Sequence, residues 1–128
     1  QKRQEKEKQR EQILKNETQY QELKSKFLGL EFSDGQLHVR VLQDVNEFFE
    51  EGNILKHCVY ANAYFLKTDT LILSAQINGK RIETVEVSLA TFQVVQARGV
   101  CNQNTEWHDQ IISLVNRNAH LIRKRMSA

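Results

Sequence analysis

Over the first 26 residues, QKRQEKEKQREQILKNETQYQELKSK, no apolar residue occurs until Ile13 and Leu14, and Tyr20, Leu23 and then Phe27 complete only a sparse stripe. The stretch lacks Gly and Pro and is rich in strong helix formers, so it predicts a helix whose second half alone docks on the rest of the chain. FLGLEF (27–32) and LHVRVL (37–42) are β-prone runs separated by Ser33-Asp34-Gly35-Gln36, which predicts a hairpin. Asp44 occupies an N-cap position with Glu47 three residues later, the start of a short helix that should end near Gly52. In ILKHCVYANAYF (54–65), Ile54, Leu55, Cys58 and Val59 recur at helical spacing, predicting a second short helix buried on one side.

TLILSAQI (70–77) followed by Asn78-Gly79 is the strongest hairpin signal in the chain. A two-residue turn pairs Leu73 with Thr84 and Leu71 with Glu86, whereas a three-residue loop pairs Leu73 with Glu83 or Val85, and both registers stay open. In the first, Glu86 is buried and needs a partner, for which Arg98 or His57 is the natural candidate. The returning stretch RIETVEVSLATFQVVQARGVCN (81–102) organises the rest. Val85, Val87 and Leu89 share one strand face and Thr84, Glu86 and Ser88 the other, while Val95 and Ala97 alternate with Gln96 and Arg98. An odd-length loop around Ala90 puts Thr84, Glu86, Gln96 and Arg98 on one face, and Gly99 marks a bulge or a close backbone approach. Asn102 or Asn104 then caps a long helix through Trp107, Ile111, Leu114, Val115 and Ile122.

The expected fold class is therefore α+β: an antiparallel sheet of about five strands packed against a long C-terminal helix, with an extended N-terminal helix. Residues 1–26 form a charged helix and residues 27–128 a single domain. The chain opens at Gln1, inside a helical pattern and without methionine, so an upstream region is expected to be missing.

Composition changes this picture little. A net charge of +2 is too mild to establish nucleic-acid binding, and the exposed half of the first helix mixes Lys2, Arg3, Lys6, Lys8 and Arg10 with Glu5, Glu7 and Glu11. That mixture reads as a solvated helix or linker, with a DNA-binding arm as the sharper alternative. Arg123, Lys124 and Arg125 suit the negative end of the last helix's dipole. No apolar run approaches the ~18 residues that span a bilayer, and two cysteines make no disulfide framework, so a cytoplasmic protein with no membrane partner is expected. No Gly-rich phosphate loop is present and no cofactor is expected.

The most chemically loaded pair is His57-Cys58. Neighbours on a helix point about 100° apart, so the two cannot act on each other as nucleophile and base, and Cys58 reads as a small buried hydrophobe. A zinc site would need His57, Cys58, Cys101 and His108 to converge without any C-x2-C or H-x3-H spacing, so no metal is expected. His57 oriented by Glu86 could serve as a general base.

LKHCVYANAY (55–64), ETVEVSL (83–89) and VVQARGVCN (94–102) resemble, in order, the successive blocks of the PcfJ-like family, proteins carried by conjugative plasmids and integrated mobile elements. The resemblance spans about Gly52 to Trp107 and marks His57, Cys58, Glu86, Gln96, Arg98, Gly99 and Asn102 as hallmark positions. Many members have a tyrosine four residues after the cysteine. This chain has Asn62 there, with Tyr60 and Tyr64 nearby. The resemblance implies a mobile-element setting and supplies no reaction; the leading expectation is a non-catalytic module of such a protein that binds nucleic acid or another protein of the element. Two alternatives stand beside it: an enzyme, a hydrolase or nuclease using His57, Glu86, Gln96 and Arg98 as candidate catalytic groups, with Cys58, Gly99 and Asn102 as binding positions, or a structural module that assembles through its N-terminal helix.

Overall fold

The computed structural model describes residues 2–128. Gln1 and the side chain of Lys2, one of the charges counted above, lie outside the described residues. The elements run α1 (Lys2–Leu23), β1 (Glu31–Ser33), β2 (Leu37–Val41), α2 (Val45–Leu55), β3 (Thr70–Ile77), β4 (Lys80–Ser88), β5 (Val94–Arg98) and α3 (His108–Met126). The five strands form one antiparallel sheet in the order β1-β2-β3-β4-β5. The α+β class, the five strands and the flanking helices are as the hydrophobic pattern predicts.

One face of the sheet is apolar. Val39 and Val41 of β2, Leu71 and Leu73 of β3, Val85 and Val87 of β4 and Ala97 of β5 form a single core with Ile111, Leu114, Val115 and Ile122 of α3. Burying each of the valine, leucine and isoleucine side chains is worth about 1.5–3 kcal/mol, which makes this layer the main source of stability. The opposite face has a smaller core in which Tyr20 of α1, Phe48 of α2 and Phe65 surround Ile72. Phe48 stands edge-on to both rings, and the Tyr20 hydroxyl donates to the Leu42 carbonyl. Only the end of α1 docks: Ile13 and Leu14 are 56% and 68% exposed, whereas Tyr20 and Lys24 are buried.

The β3–β4 register reconciles the two alternatives left open by the sequence. Asn78 and Gly79 make a two-residue turn with φ of 52° and 77°, the doubly left-handed geometry that suits a tight hairpin. A bulge opposite Ala75 and Gln76 then absorbs Ile82, so that Leu73 faces Val85, Leu71 faces Val87 and Ile72 faces Glu86. The turn is the shorter one, and the extra residue restores the apolar pairing.

Three expectations are corrected. First, α2 does not end near Gly52 and no second helix follows. The helix continues to Leu55, Lys56 turns left-handed (φ 55°), and 57–63 form successive turns before a short 3-10 turn at Tyr64–Leu66. Gly52 lets the following segment fold back closely over the helix, since a Cβ there would stand 3.1 Å from the His57 carbonyl oxygen. Second, Cys58 is exposed rather than core, a consequence of the chain leaving helical geometry at Lys56. Third, neither Asn102 nor Asn104 caps α3. Asn102 lies in a 3-10 turn with φ 62°, and the helix starts at His108 with the Thr105 hydroxyl accepting from the Trp107 N–H.

Gly99 marks a close approach. A Cβ at this position would meet Thr105 Cγ2 at 2.5 Å and the Ile82 carbonyl oxygen at 2.9 Å. Gly99→Ala is expected to lower stability by about 1–3 kcal/mol in urea unfolding, because a fixed backbone oxygen stands in the way.

Candidate functional site

The polar positions of β4 and β5 share a face because Thr84 pairs with Arg98 and Glu86 with Gln96, and a bulge at Val95 lets the strands keep that alignment. The covering layer on this side is incomplete. Between the turns after α2 and the two strands lies a pocket of about 220 Å³, lined by His57, Cys58, Val59, Asn62 and Tyr64 on one side and by Ile72, Thr84, Glu86, Gln96, Arg98 and Asn102 on the other. Of the candidate catalytic and binding residues, His57, Cys58, Glu86, Gln96, Arg98 and Asn102 line this pocket, and Gly99 sits beside it in close contact with Thr105 and Ile82; Cys101 and His108, weighed only for a zinc site, do not line it.

Contacts within the pocket differ from those expected. Glu86 is 3% exposed, and its carboxylate is met by Lys67 Nζ at 2.7 Å, by the Thr70 hydroxyl at 2.8 Å and by the Gln96 amide at 3.0 Å. Neither Arg98 nor His57 is a partner. Lys67 also lies over the Tyr64 ring, 4.3 Å from its centre, and its hydrogen bond to Glu86 raises the ammonium pKa above the ordinary lysine value. The main chain of Lys67 is tied down too, since the buried Lys24 ammonium donates to its carbonyl. Burial lowers the Lys24 pKa to about 8, against an opposing pull from Asp69.

His57 belongs to a separate chain of contacts. Its Nε2 is 2.7 Å from Thr84 Oγ1, and that hydroxyl donates to Glu51 of α2. A hydroxyl has one proton, so Thr84 must accept from His57, which makes the imidazole the Nε2–H tautomer and leaves Nδ1 with only a 3.5 Å approach from the Val59 N–H. Glu51 is fully buried and also takes the Arg81 guanidinium at 2.6 Å and the Ser74 hydroxyl at 2.8 Å. Burial pushes the Glu51 carboxyl above the usual range, with Thr84, Arg81 and Ser74 pulling it back. Burial likewise lowers the His57 pKa, so the ring is neutral at neutral pH.

Arg98 has no carboxylate partner among the described residues, which leaves it the free cation of the site. It is exposed and donates to Asn104 Oδ1 at 3.2 Å and to the Ala97 carbonyl at 3.5 Å. Asn102 and Cys101 beside it are both left-handed, with φ of 62° and 55°.

The family model of the PcfJ-like protein matches residues 1–112. This chain belongs to the PcfJ-like family. No curated protein and no solved structure matches it. The match covers every pocket-lining residue of this PcfJ-like chain.

Sequence reasoning missed Lys67, Thr70 and Glu51. Thr70 was within reach, since its partner Ser88 is two residues from Glu86 and diagonal neighbours across strands interact. Glu51 follows Glu47 by one helical turn and so shares its face. Lys67 sits in a connection that carries no periodic signal.

Lys67→Met and Glu86→Ala are each expected to cost about 1–3 kcal/mol in thermal or urea unfolding because each leaves polar groups unpartnered, while Arg98→Met stays within about 0.5 kcal/mol of the parent. A further expectation concerns pH. Because the folded-state pKa of His57 lies below the ordinary 6.5, the unfolded chain takes the proton first as pH falls, so stability is full above 6.5 and declines below it. The difference in unfolding free energy between the parent and His57→Asn should shrink as pH is lowered from 6.5.

Proposed function

We propose that this PcfJ-like module is a binding part of a mobile-element protein, taking into its pocket a polar, anion-bearing group presented by a nucleic-acid or protein partner. The observation that carries this reading is the asymmetry of the pocket's charges. Glu86 has its charge matched by Lys67 and both its oxygens occupied, whereas Arg98 at the rim has donors to spare and the amides of Asn62 and Asn102 stand nearby. The volume lies below the range of about 300–1,000 Å³ usual for whole small-molecule ligands, which favours part of a larger partner over a free metabolite. Left-handed Lys56, Ala63, Cys101 and Asn102 lie in the two segments that wall the pocket, and such backbone strain gathers where function requires a shape.

A second reading, a hydrolase or nuclease, is favoured by one observation: the neutral His57 is oriented through Thr84 by Glu51, the arrangement of a positioned proton acceptor. Against it, Glu86 is too fully engaged to serve as the base.

The test is a titration of labelled single-stranded DNA and of a glutamate-rich peptide at low and physiological salt. At least one is expected to bind, more weakly at higher salt, with Arg98→Met reducing affinity about tenfold or more, the worth of a charge-assisted hydrogen bond. Absence of binding by both at low salt would remove the reading.

A further inference from the structure

The sheet has two open edges, and they are not alike. β1 is three residues long, and its Glu31 contacts His38 of β2, whereas β5 is five residues long, carries no proline or lysine and has its one charge, Arg98, at its end. A very short edge resists the addition of another strand, and a longer one without proline offers more main chain to pair with. Val95, at the bulge of β5, is 57% exposed. Beside this edge runs an open groove of about 460 Å³, whose second wall is α3 through His108, Ile112 and Asn116, one helical turn apart from each other. A strand edge facing a helix across a groove is the geometry in which extended peptides add to a sheet: main-chain hydrogen bonds supply affinity and alternate side chains meet the helix.

The chemistry of the walls selects the occupant. Among the described residues no carboxylate lines the groove, and its free cation is Arg98. Ile112 offers an apolar contact. Gln96 and Arg98 belong to both groove and pocket, so a chain lying along β5 passes the pocket's rim. We infer that β5 is the docking edge for an extended, acidic polypeptide segment, which adds as a sixth strand between β5 and α3 and sets a carboxylate against Arg98. This rests on the pocket as the recognition site and names its partner as protein.

The test uses isotope-labelled protein titrated with a capped hexapeptide of alternating valine and glutamate, its valine and lysine counterpart, and single-stranded DNA. The acidic peptide is expected to shift the amide signals of 94–98 together with those of Ile112 and Asn116, to slow exchange of β5 amides, and to bind about tenfold or more tightly than the lysine peptide. Asn116→Glu and Val95→Glu, both at exposed positions, should each weaken it about fivefold or more while the circular dichroism of the fold is retained. Shifts confined to Asn62 and His57 would overturn the strand placement and leave the pocket reading standing. Equal binding of the two peptides, or shifts along β5 with DNA alone, would overturn the acidic polypeptide as partner. A concentration-dependent dimer in sedimentation that Val95→Glu dissolves would assign the edge to a second copy and also overturn it.

Discussion

Glu51 and Glu86 are withdrawn from water on the same side of the sheet, and a carboxylate so placed costs several kcal/mol unless cations or hydroxyls meet it. Much of the covering layer answers that constraint. Arg81 and Ser74 rise from the strands to Glu51, Thr70 stands beside Glu86, and the connection after α2 ends where Lys67 can reach Glu86. The same demand explains a buried lysine just past the end of α1, since Lys24 holds the carbonyl of the residue that delivers the second cation. On the α3 side a third buried carboxylate, Glu83, is met by the Thr105 main chain and hydroxyl and by His108, which fixes where α3 begins. β4 thus carries charged anchors on both faces and ties the two layers together.

Such anchors work only if strand parity is kept, and two bulges keep it. A sheet register that slips by one residue reverses every side chain, so an unrelieved two-residue turn at Asn78-Gly79 would have put Thr84 and Glu86 into the apolar core. The extra residue Ile82 prevents this on one side of β4, and Val95 adjusts β5 on the other. The cost of the second bulge is an exposed valine on an open edge, and the same irregularity that aligns the pocket also shapes the groove beside it.

How much of this was legible in the sequence depends on where periodicity exists. The strands, the long last helix and the shared face of Thr84, Glu86, Gln96 and Arg98 come from alternation and helical spacing, both of which survive in the structure. The pocket's other wall does not. Residues 56–67 look helical by the spacing of Leu55, Cys58 and Val59, yet left-handed Lys56 breaks the run and exposes Cys58. Parity placed Glu86 and Arg98 on one face but could not choose between partners, and the lysine that wins arrives from a loop with no pattern to read. The start of α3 was misplaced for a related reason: Asn102 and Asn104 are good caps, but buried Glu83 recruits Thr105 first.

The division of labour among the pocket's charges bears on the chemistry it could host. A general base needs a free lone pair within reach of the proton it takes, and Glu86, with both oxygens bonded, has no such freedom without first releasing Lys67 or Gln96. His57 is different. Its Nε2–H is committed to Thr84, but Nδ1 has only a long approach from the Val59 N–H, and burial keeps the ring neutral. Proton transfer at His57 would leave Glu51 to stabilise the imidazolium at one remove through Thr84, with Glu86 serving as the anchor for Lys67 and Gln96. In the proposed binding module the same imidazole is an acceptor for a donor on the partner. Binding and catalysis thus ask the same hydrogen bond of His57 and differ in the fate of its proton: a binding site leaves the proton on the donor, and an enzyme must move it.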